Sequence, residues 1–395
     1  MSRGVRQAVL AIIVAGVCLD TLVYGLVVPM LPRLSTDLDF GQTGAGILLA
    51  SYALGLCVAT PLIGVGVRHW GYRLPLLGGI AGLALSLLLY LVAESFAVMV
   101  LARTVQGAAS GATWTAGLAI IANHWPTRER GRTMGLVMSA FALGLMAGPP
   151  LGGFVSDWLG VRPAFVLPTL AAFALTGAAA VVLIRVQATR ATTTTAPLGT
   201  ILSDSGIVGL AGVVAAVAAV MGLLEPTLPL DLEERFGTSA GTIGLLFGLI
   251  AAAFALGSPL AGYSADRWGA VATIRYAAAP LVVVLPLFAL APGAWWTAPL
   301  FATTGLLCAL ALGPALPGLA ARVDRHDGQS YGIVYAVFNL AFAVGLFLGP
   351  IVGAASTAVL GLLPTLLVTA ALIALSLPWL RRLGWIAGLN QGLTK

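Results

Sequence analysis

Three ionisable residues lie inside long apolar stretches of this 395-residue sequence: Asp20, Arg103 and Glu225. A charged side chain at the centre of a bilayer costs roughly 2.5–3.5 kcal/mol on insertion scales, so each of the three is a functional candidate. Asp20 lies twelve residues before Pro32, which is about 18 Å along a helix. This distance places the carboxylate near the middle of its apolar stretch.

Asp20 and Arg103 together could carry out proton-coupled exchange. A lone carboxylate in a cavity of low dielectric constant favours its protonated form, so Asp20 could bind a proton or an organic cation in turn. Arg103 keeps its charge and must be paired or hydrogen-bonded. We expect it to act electrostatically on the carboxylates, with Gln106 one turn further on in the same network. The alternative is structural, with Asp20 paired permanently with Arg103 as a tether between helices.

Glu225 directly precedes two prolines, Pro226 and Pro229, in the stretch "GLLEPTLP". Each proline removes a backbone donor and frees a carbonyl about four residues back. A freed carbonyl is tolerated at membrane depth only against protein or a wet cavity. The pattern therefore predicts a broken helix in a cavity wall, with Glu225 as a second proton- and substrate-binding residue. The alternative is that Glu225 extends to the outer surface to join the acids that follow it.

The elements that must position these residues are apolar helices. The chain is 59% hydrophobic and 9% charged, whereas soluble domains are about a quarter charged, so its solvent must be lipid. A helix needs about 20 apolar residues to cross a bilayer. Hydropathy predicts an all-α membrane protein with twelve transmembrane helices. The predicted spans are 8–31, 43–67, 74–93, 96–122, 133–156, 163–184, 207–230, 240–264, 273–291, 297–320, 330–356 and 358–380.

The net charge of +6 follows from where the basic residues lie. With the N-terminus inside, sixteen of the twenty Lys and Arg residues fall on the inner side, and only Arg33, Arg162 and Arg235 fall outside. This distribution predicts a multi-pass protein of the cell inner (plasma) membrane with both termini in the cytoplasm. It needs no nucleic-acid partner. The cysteines and histidines lack metal spacing, and no motif indicates a cofactor or ATP hydrolysis, so an ion gradient must supply the energy.

The two halves of the sequence repeat each other. "PMLP" (29–32) returns as "PTLP" (226–229), "GVGVRHWG" (64–71) as "GYSADRWG" (262–269), and "GLMAGPPLGG" (144–153) as "GLFLGPIVGA" (345–354). The matches are collinear across a threonine-rich, polar connector. We therefore predict an N-terminal six-helix bundle over 1–185, a cytoplasmic linker over 186–206 and a C-terminal six-helix bundle over 207–395.

Several of these motifs resemble those of the major facilitator superfamily: the basic loop "GVGVRHWGYR" (64–73), "RTVQG" (103–107) and "GLMAGPPLGG". "LDTLVYGLVVPMLP" (19–32) and "YGIVYAVFNLAFAVG" (331–345) are similar to the vesicular amine transporter branch of its drug:proton antiporter families, and to related bacterial multidrug exporters. The resemblance implies two six-helix repeats around a central cavity with a substrate site at the bilayer midplane. It also implies proton-coupled export of amines or amphipathic cations.

The chain departs from that branch at several charged positions. Where the branch has a lysine in the second helix and an aspartate in the eleventh, this chain has Tyr52 and Asn339. Losing both charges together avoids an unpaired buried charge. The basic loop has Arg68 in place of the usual acid, whereas the second copy keeps Asp266 and Arg267. Because fewer protonatable groups are present, the coupling ratio of the branch does not transfer to this chain.

Two further sets of residues complete the candidate site. Aromatic rings can hold a cation or a flat ring, although packing is the alternative for each one. With Asp20 and Glu225, the expected substrate-binding residues are Tyr24, Tyr52, Trp114, Phe141, Tyr335, Phe338 and Asn339. Small residues allow close helix approach, and we expect the stripe in the fifth span to form a rocking interface between the halves, a role that is compatible with ordinary tight packing. The expected conformational residues are Gly144, Gly148, Pro149, Pro150, Gly152, Asp266, Arg267, Gly349 and Pro350.

These observations predict a monomeric proton-coupled antiporter, not an enzyme, that exports amphipathic cationic or aromatic small molecules. The Gly-Pro-Pro stripe favours export, since in the superfamily it accompanies antiporters. Three alternatives stay open. The first is a proton-coupled uptake permease. The second is an exporter of a neutral antibiotic or natural product, which the neutral Tyr52 and Asn339 partly favour. The third is a membrane receptor or assembly factor that no longer transports.

Overall fold

The computed structural model describes residues 3–184, 204–315, 317–319 and 331–386, so that most of the predicted linker over 186–206 lies outside the described residues. The described chain is almost entirely helical, and a short 3-10 turn over Val28–Met30 separates the first two helices. The helices are α1 Arg3–Leu26, α2 Leu31–Asp37, α3 Gln42–Trp70, α4 Arg73–Val92, α5 Phe96–His124, α6 Thr127–Leu159, α7 Pro163–Leu183, α8 Ser205–Phe236, α9 Ala240–Trp268, α10 Ala270–Leu290, α11 Ala298–Leu312, α12 Tyr331–Leu360 and α13 Leu362–Ile386.

Eleven helical stretches of the described chain are long and apolar enough to cross a membrane. Helix α5 is not among them, although its 29 residues extend about 43 Å. Its buried face carries polar side chains, among them Arg103, Gln106, Ser110 and Thr113, which lower its hydropathy. Counting α5 as the twelfth span, the prediction of an all-α membrane protein with twelve transmembrane helices is confirmed.

The described helices form two compact units. The first contains α1–α7 with residues 237–248 at the start of α9, and the second contains α8, the rest of α9 and α10–α13. In the first unit α1 packs mainly on α6, α3 on α5, and α4 on α5 and α7. In the second unit α8 packs on α12, and α10 on α11 and α13. The second set of contacts repeats the first, so the internal repeat seen in the motifs is also present in the packing.

Glycines spaced by four residues permit the closest of these repeated contacts. A Cβ atom added at Gly144, Gly148 or Gly152 would lie 2.3–2.4 Å from a backbone carbonyl oxygen of α1. At Gly345 and Gly349 of the second copy it would lie 2.2 and 2.3 Å from carbonyl oxygens of α8. The stripe of the fifth span therefore packs tightly within its unit, and its role as a rocking interface stays a prediction. These glycines face a helix of their own unit, because only a residue without Cβ admits a backbone at this distance.

The two prolines of α6 lie on another face of that helix, against the start of α9. A Cβ atom at Gly244 would lie 2.3 Å from the carbonyl oxygen of Pro149 and 3.1 Å from Cα of Pro150. About two turns beyond Pro150 on α6, the Oδ2 atom of Asp157 accepts a hydrogen bond of 2.8 Å from the backbone N–H of Gly241. Asp157 thereby satisfies a free N–H group in the first turn of α9.

Helix α8 is continuous from Ser205 to Phe236 although it contains Pro226 and Pro229. The broken helix expected beside Glu225 is therefore wrong. Both prolines are buried, so the surrounding packing holds the helix continuous through them. The matching prolines of the first half do coincide with an interruption, since α1 ends at Leu26 and the 3-10 turn follows.

The three arginines assigned to the outer side each bind carbonyl groups at a helix C-terminus. Arg33 donates to a carbonyl in the last turn of α6. Arg162 donates across 3.3 Å to the carbonyl of the residue that follows α4, and Arg235 across 2.7 Å to that which follows α10. A helix C-terminus carries partial negative charge. These arginines therefore have a local structural role at helix ends, whichever side of the membrane they face.

Candidate functional site

Asp20 is buried in the first unit and is hydrogen-bonded by neutral side chains. Only 2% of the residue is exposed. Its Oδ2 atom accepts hydrogen bonds from the Ser110 hydroxyl at 2.6 Å and from the Tyr52 hydroxyl at 3.3 Å. Its Oδ1 atom accepts from the Gln106 amide at 3.4 Å. These donors come from α3 and α5, so two neighbouring helices converge on a carboxylate presented by α1.

Helix α5 supplies most of the site because of the spacing of its polar residues. Arg103, Gln106 and Ser110 are separated by three and four residues, which places them on one helix face. Gly107 lies between them at the contact with α3, where an added Cβ atom would lie 1.8 Å from the backbone oxygen of Tyr52. This close approach brings the Tyr52 side chain within reach of Asp20.

Gln106 joins the acid to the base. The residue is fully buried, and its Oε1 atom accepts hydrogen bonds from Arg103 at 3.1 Å and from Tyr90 at 3.0 Å. Its amide nitrogen donates to the side chain and the backbone oxygen of Asp20. Among the described residues, Asp20 and Arg103 form no direct ion pair. The permanent pair considered as an alternative is therefore replaced by a bridge through a neutral amide.

The charge of Arg103 is balanced by carbonyl oxygens and aromatic faces. Besides Gln106, the guanidinium donates to the backbone oxygen of Tyr24 at 3.2 Å. Its central carbon lies 4.9 Å from the ring centroid of Tyr24 and 5.6 Å from that of Tyr52. The two rings contact each other edge to face with centroids 4.8 Å apart. Cation–π attraction of this kind contributes about 0.5–2 kcal/mol, so the rings help to stabilise a fully buried charge.

The first unit also brings together Trp114 of α5 and Phe141 of α6. Their ring centroids are 5.7 Å apart at an interplanar angle of 73°. Both side chains are partly buried and pack against the apolar core formed by α1, α3, α4, α5, α6 and α7. They form an aromatic pair separate from the Tyr24 and Tyr52 pair.

The remaining candidate binding residues belong to the second unit. Glu225 is half-buried on α8. On α12, Phe338 is half-buried and Asn339 is exposed, and the Phe338 ring lies parallel to that of Phe342 with centroids 6.4 Å apart. Tyr335 falls on the same helix, but its side chain lies outside the described residues.

The remaining candidate conformational residues are also in the second half of the sequence. Gly349 faces α8, and Pro350 packs against the same helix. Asp266 and Arg267 are exposed at the end of α9, where Arg267 donates to the Tyr263 hydroxyl at 3.0 Å.

Sequence reasoning missed Ser110 and Tyr90. Ser110 could have been found, because it lies seven residues after Arg103 and therefore two turns along the same face. Tyr90 gives no such signal. It lies in a uniformly apolar helix, and it stacks on Phe165 of α7 with centroids 4.6 Å apart. Only the packing of α4 on α5 brings its hydroxyl to Gln106.

Comparison with known proteins gives two kinds of match. The family model described as Major Facilitator Superfamily matches residues 13–224 and residues 209–384. The chromaffin granule amine transporter of Rattus norvegicus is 29% identical over 80% of this chain, and the probable vesicular acetylcholine transporter-B of Danio rerio is 28% identical over 88%. The chain spans 61% of the length of the first protein and 73% of the second. These relatives confirm the resemblance to the vesicular amine transporter branch.

Solved structures agree in fold. A bacterial homologue of the human lysosomal transporter Spinster, in an inward-facing and unoccupied conformation, is similar with a TM-score of 0.79 over 98% of both chains at 14% identity. The nucleoside transporter NupG is similar with a TM-score of 0.74 over 96% of this chain and 98% of that one, at 12% identity. At these identities the likeness concerns the fold alone.

Proposed function

The chain belongs to the Major Facilitator Superfamily, and on that premise we propose that it is a proton-coupled antiporter that exports amphipathic cationic or aromatic small molecules by alternating access. It is a multi-pass membrane transport protein and not an enzyme. The proposal concerns the direction of transport, the coupled proton and the class of substrate.

The observation that carries the proposal is the environment of Asp20. A buried carboxylate is costly to keep ionised unless hydrogen bonds or a positive charge support it. Here Ser110, Gln106 and Tyr52 donate to it, and Arg103 is held nearby by Gln106. These groups favour the ionised form, while burial favours the neutral form, so both states are within reach. A proton and a cationic substrate would then occupy the site around Asp20 in turn.

The aromatic rings support a substrate that is flat or positively charged. Tyr24 and Tyr52 already hold the Arg103 guanidinium on their faces, and Trp114 and Phe141 form a second aromatic pair. Two of the similar proteins are named for transport of amines and of acetylcholine, both small nitrogen compounds. We propose Glu225 as a second acid that receives the proton or the cation.

The excess of basic residues in the inner loops supports a plasma-membrane location with both termini in the cytoplasm. We further propose that the protein acts as a monomer built of two six-helix bundles, 1–185 and 207–395. Substrate would leave the cytoplasm as protons enter, because a proton gradient directed inward then supplies the energy.

Transport in proteoliposomes tests the proposal. The probe is ethidium, whose permanent charge does not change with pH, with the membrane potential clamped by potassium and valinomycin. Antiport predicts that ethidium accumulates in liposomes whose lumen is more acidic than the outside, and that the lumen becomes more alkaline as it enters.

The alternatives give different results in the same assay. Accumulation only when the outside is more acidic would identify an uptake permease. The neutral side chains of Tyr52 and Asn339 favour a second candidate, an exporter of neutral compounds, which would move chloramphenicol but not ethidium. Folded protein that moves neither probe in response to the gradient would contradict transport coupled to protons.

A further inference from the structure

Three oxygen atoms beside the buried acid form a closed hydrogen-bonding triangle. The Tyr52 hydroxyl lies 2.9 Å from Oγ of Ser110 and 3.3 Å from Oδ2 of Asp20. Ser110 Oγ lies 2.6 Å from the same Oδ2 atom. The two hydroxyls supply two hydrogens while Asp20 is ionised, and the triangle holds three hydrogens once Asp20 is protonated.

The number of hydrogens sets the direction in which Tyr52 donates. With Asp20 ionised, Ser110 gives its hydrogen to the carboxylate across the shortest edge. Tyr52 then shares its single hydrogen between Ser110 at 2.9 Å, the main acceptor, and the carboxylate at 3.3 Å, the weaker one. With Asp20 protonated, the new hydrogen on Oδ2 points to Ser110 Oγ, and the Ser110 hydrogen turns to the Tyr52 oxygen. The edge left for the Tyr52 hydrogen is 3.3 Å long, beyond the usual 2.5–3.0 Å of an O–H···O bond. Tyr52 therefore changes from donor to acceptor within the triangle, and its own hydrogen becomes free to point elsewhere.

All three members of the triangle are buried, and Tyr52 is the least so. It is 6% exposed, against 2% for Asp20 and for Ser110. Its ring contacts that of Tyr24, which is only half-buried. Tyr24 is therefore the most exposed of the groups around the acid, and Tyr52 lies between it and Asp20.

On these grounds we propose that Tyr52 is a positioning residue that couples the protonation state of Asp20 to the binding of the cation. The inference rests on the proposed antiport. While Asp20 is ionised, the Tyr52 oxygen keeps a lone pair that attracts a cation. Once Asp20 takes up a proton from the outside, that lone pair accepts the Ser110 hydrogen, and the hydroxyl presents a hydrogen that repels the cation. Proton and cation would then compete without sharing Asp20 as a common ligand.

The ionisable groups around Asp20 in the described part of the chain are three tyrosines and one arginine. Helix α3 contributes Tyr52, α4 contributes Tyr90, and α5 contributes Arg103, while Tyr24 lies on the same helix as Asp20. Helix α7 has no charged residue between its ends, and α6 carries its charged residues only in its first two turns and near its last turn. The tyrosines and Arg103 are thus the ionisable neighbours that a test must separate.

The test measures the affinity for ethidium of purified Tyr52→Phe between pH 8 and pH 5.5. In the wild-type protein we expect the dissociation constant to rise as pH falls, because protonation of Asp20 opposes cation binding. Tyr52→Phe keeps the ring but loses the hydroxyl. The ratio of the dissociation constant at pH 5.5 to that at pH 8 should therefore be smaller than in the wild type by roughly 3- to 10-fold, which corresponds to one hydrogen bond. Tyr72→Phe is the matched control, since Tyr72 is also buried and its hydroxyl contacts the Asn123 amide and not the groups around Asp20. It should keep the wild-type ratio.

A second variant covers the case in which Tyr52→Phe does not fold. Ser110→Ala removes the hydroxyl that bonds both Tyr52 and Asp20, and it should also reduce the ratio of the dissociation constants at pH 5.5 and pH 8. A wild-type pH profile in whichever of these variants is folded would overturn the inference, as would an equal change in Tyr72→Phe. Failure of the inference is distinct from failure of the proposed function. If the wild-type protein exchanges ethidium for protons but Tyr52→Phe keeps its pH profile, only the role of Tyr52 is wrong.

Discussion

Replacing Gln106 by leucine tests whether the amide bridge holds the site together. Gln106 is fully buried and accepts two hydrogen bonds, of 3.1 Å from Arg103 and 3.0 Å from Tyr90. Leucine has a similar size but leaves both donors without this acceptor. A buried polar group that loses its partner costs about 1–3 kcal/mol, and more when it is charged. The two losses together cost about 2–6 kcal/mol, from which the added apolar burial of leucine subtracts about 1–2 kcal/mol.

The net loss of a few kcal/mol should lower the melting temperature of the detergent-solubilised protein by roughly 2–5 °C, since an unfolding entropy of about 2.1 cal/mol/K per residue over 395 residues corresponds to about 1 °C per kcal/mol. The assay is a thermal melt followed by size-exclusion chromatography. Gln7→Leu is the control, because Gln7 is exposed on α1 and its loss should change the melt little. A Gln106→Leu protein that melts within about 1 °C of the wild type would show that the bridge does not contribute to stability and would refute the reasoning.

Two further predictions concern packing and helix ends. Gly107→Ala places a Cβ atom 1.8 Å from the backbone oxygen of Tyr52 and forces α3 and α5 apart. The free energy of unfolding should fall by about 1–3 kcal/mol or more, and ethidium transport should fall with it. Gly78→Ala is the control, because nothing lies within 4 Å of the added Cβ atom, and it should behave as wild type in the same melts and transport assays. Arg235→Gln removes the cation that binds the C-terminal carbonyls of α10, so the melting temperature should fall by the equivalent of about 1 kcal/mol while transport at 25 °C is unchanged; a loss of transport without a loss of stability would contradict a purely structural role.

The fold could be predicted from the sequence because bilayer thickness fixes the length of an apolar helix. The span over 96–122 corresponds to α5, even though Arg103 and Gln106 leave that helix without a stretch as apolar as those of the other eleven. The repeat was also readable, since close helix contact requires glycine at the same positions in both halves. Gly148 and Gly349 meet this requirement against α1 and α8.

Contacts that depend on which way a helix face points could not be predicted. The glycines and prolines of α6 are interleaved in sequence, yet Gly148 faces α1 whereas Pro149 faces the start of α9. Proline chemistry predicted a break in α8, but burial of Pro226 in the packed unit outweighs the lost hydrogen bond.

Only part of the candidate site could be predicted from the sequence. Asp20 and Arg103 could be predicted as site residues because a charged side chain in an apolar span costs insertion free energy. The neutral groups that connect them are ordinary polar residues until the fold brings them together. Ser110 and Tyr90 belong to this class. A serine hydroxyl in an apolar helix usually bonds its own backbone, and the partner of a tyrosine hydroxyl depends on which helix packs beside it.

Transport by the Asp20→Asn variant tests the central claim most directly. Asparagine keeps the shape of the side chain and cannot exchange a proton. In liposomes with an acidic lumen, we predict that this variant exchanges ethidium for ethidium at saturating concentration but neither accumulates it against a gradient nor alkalinises the lumen. Accumulation of ethidium at the wild-type level, driven by the same pH gradient, would contradict the assignment of Asp20 as the proton-coupling carboxylate.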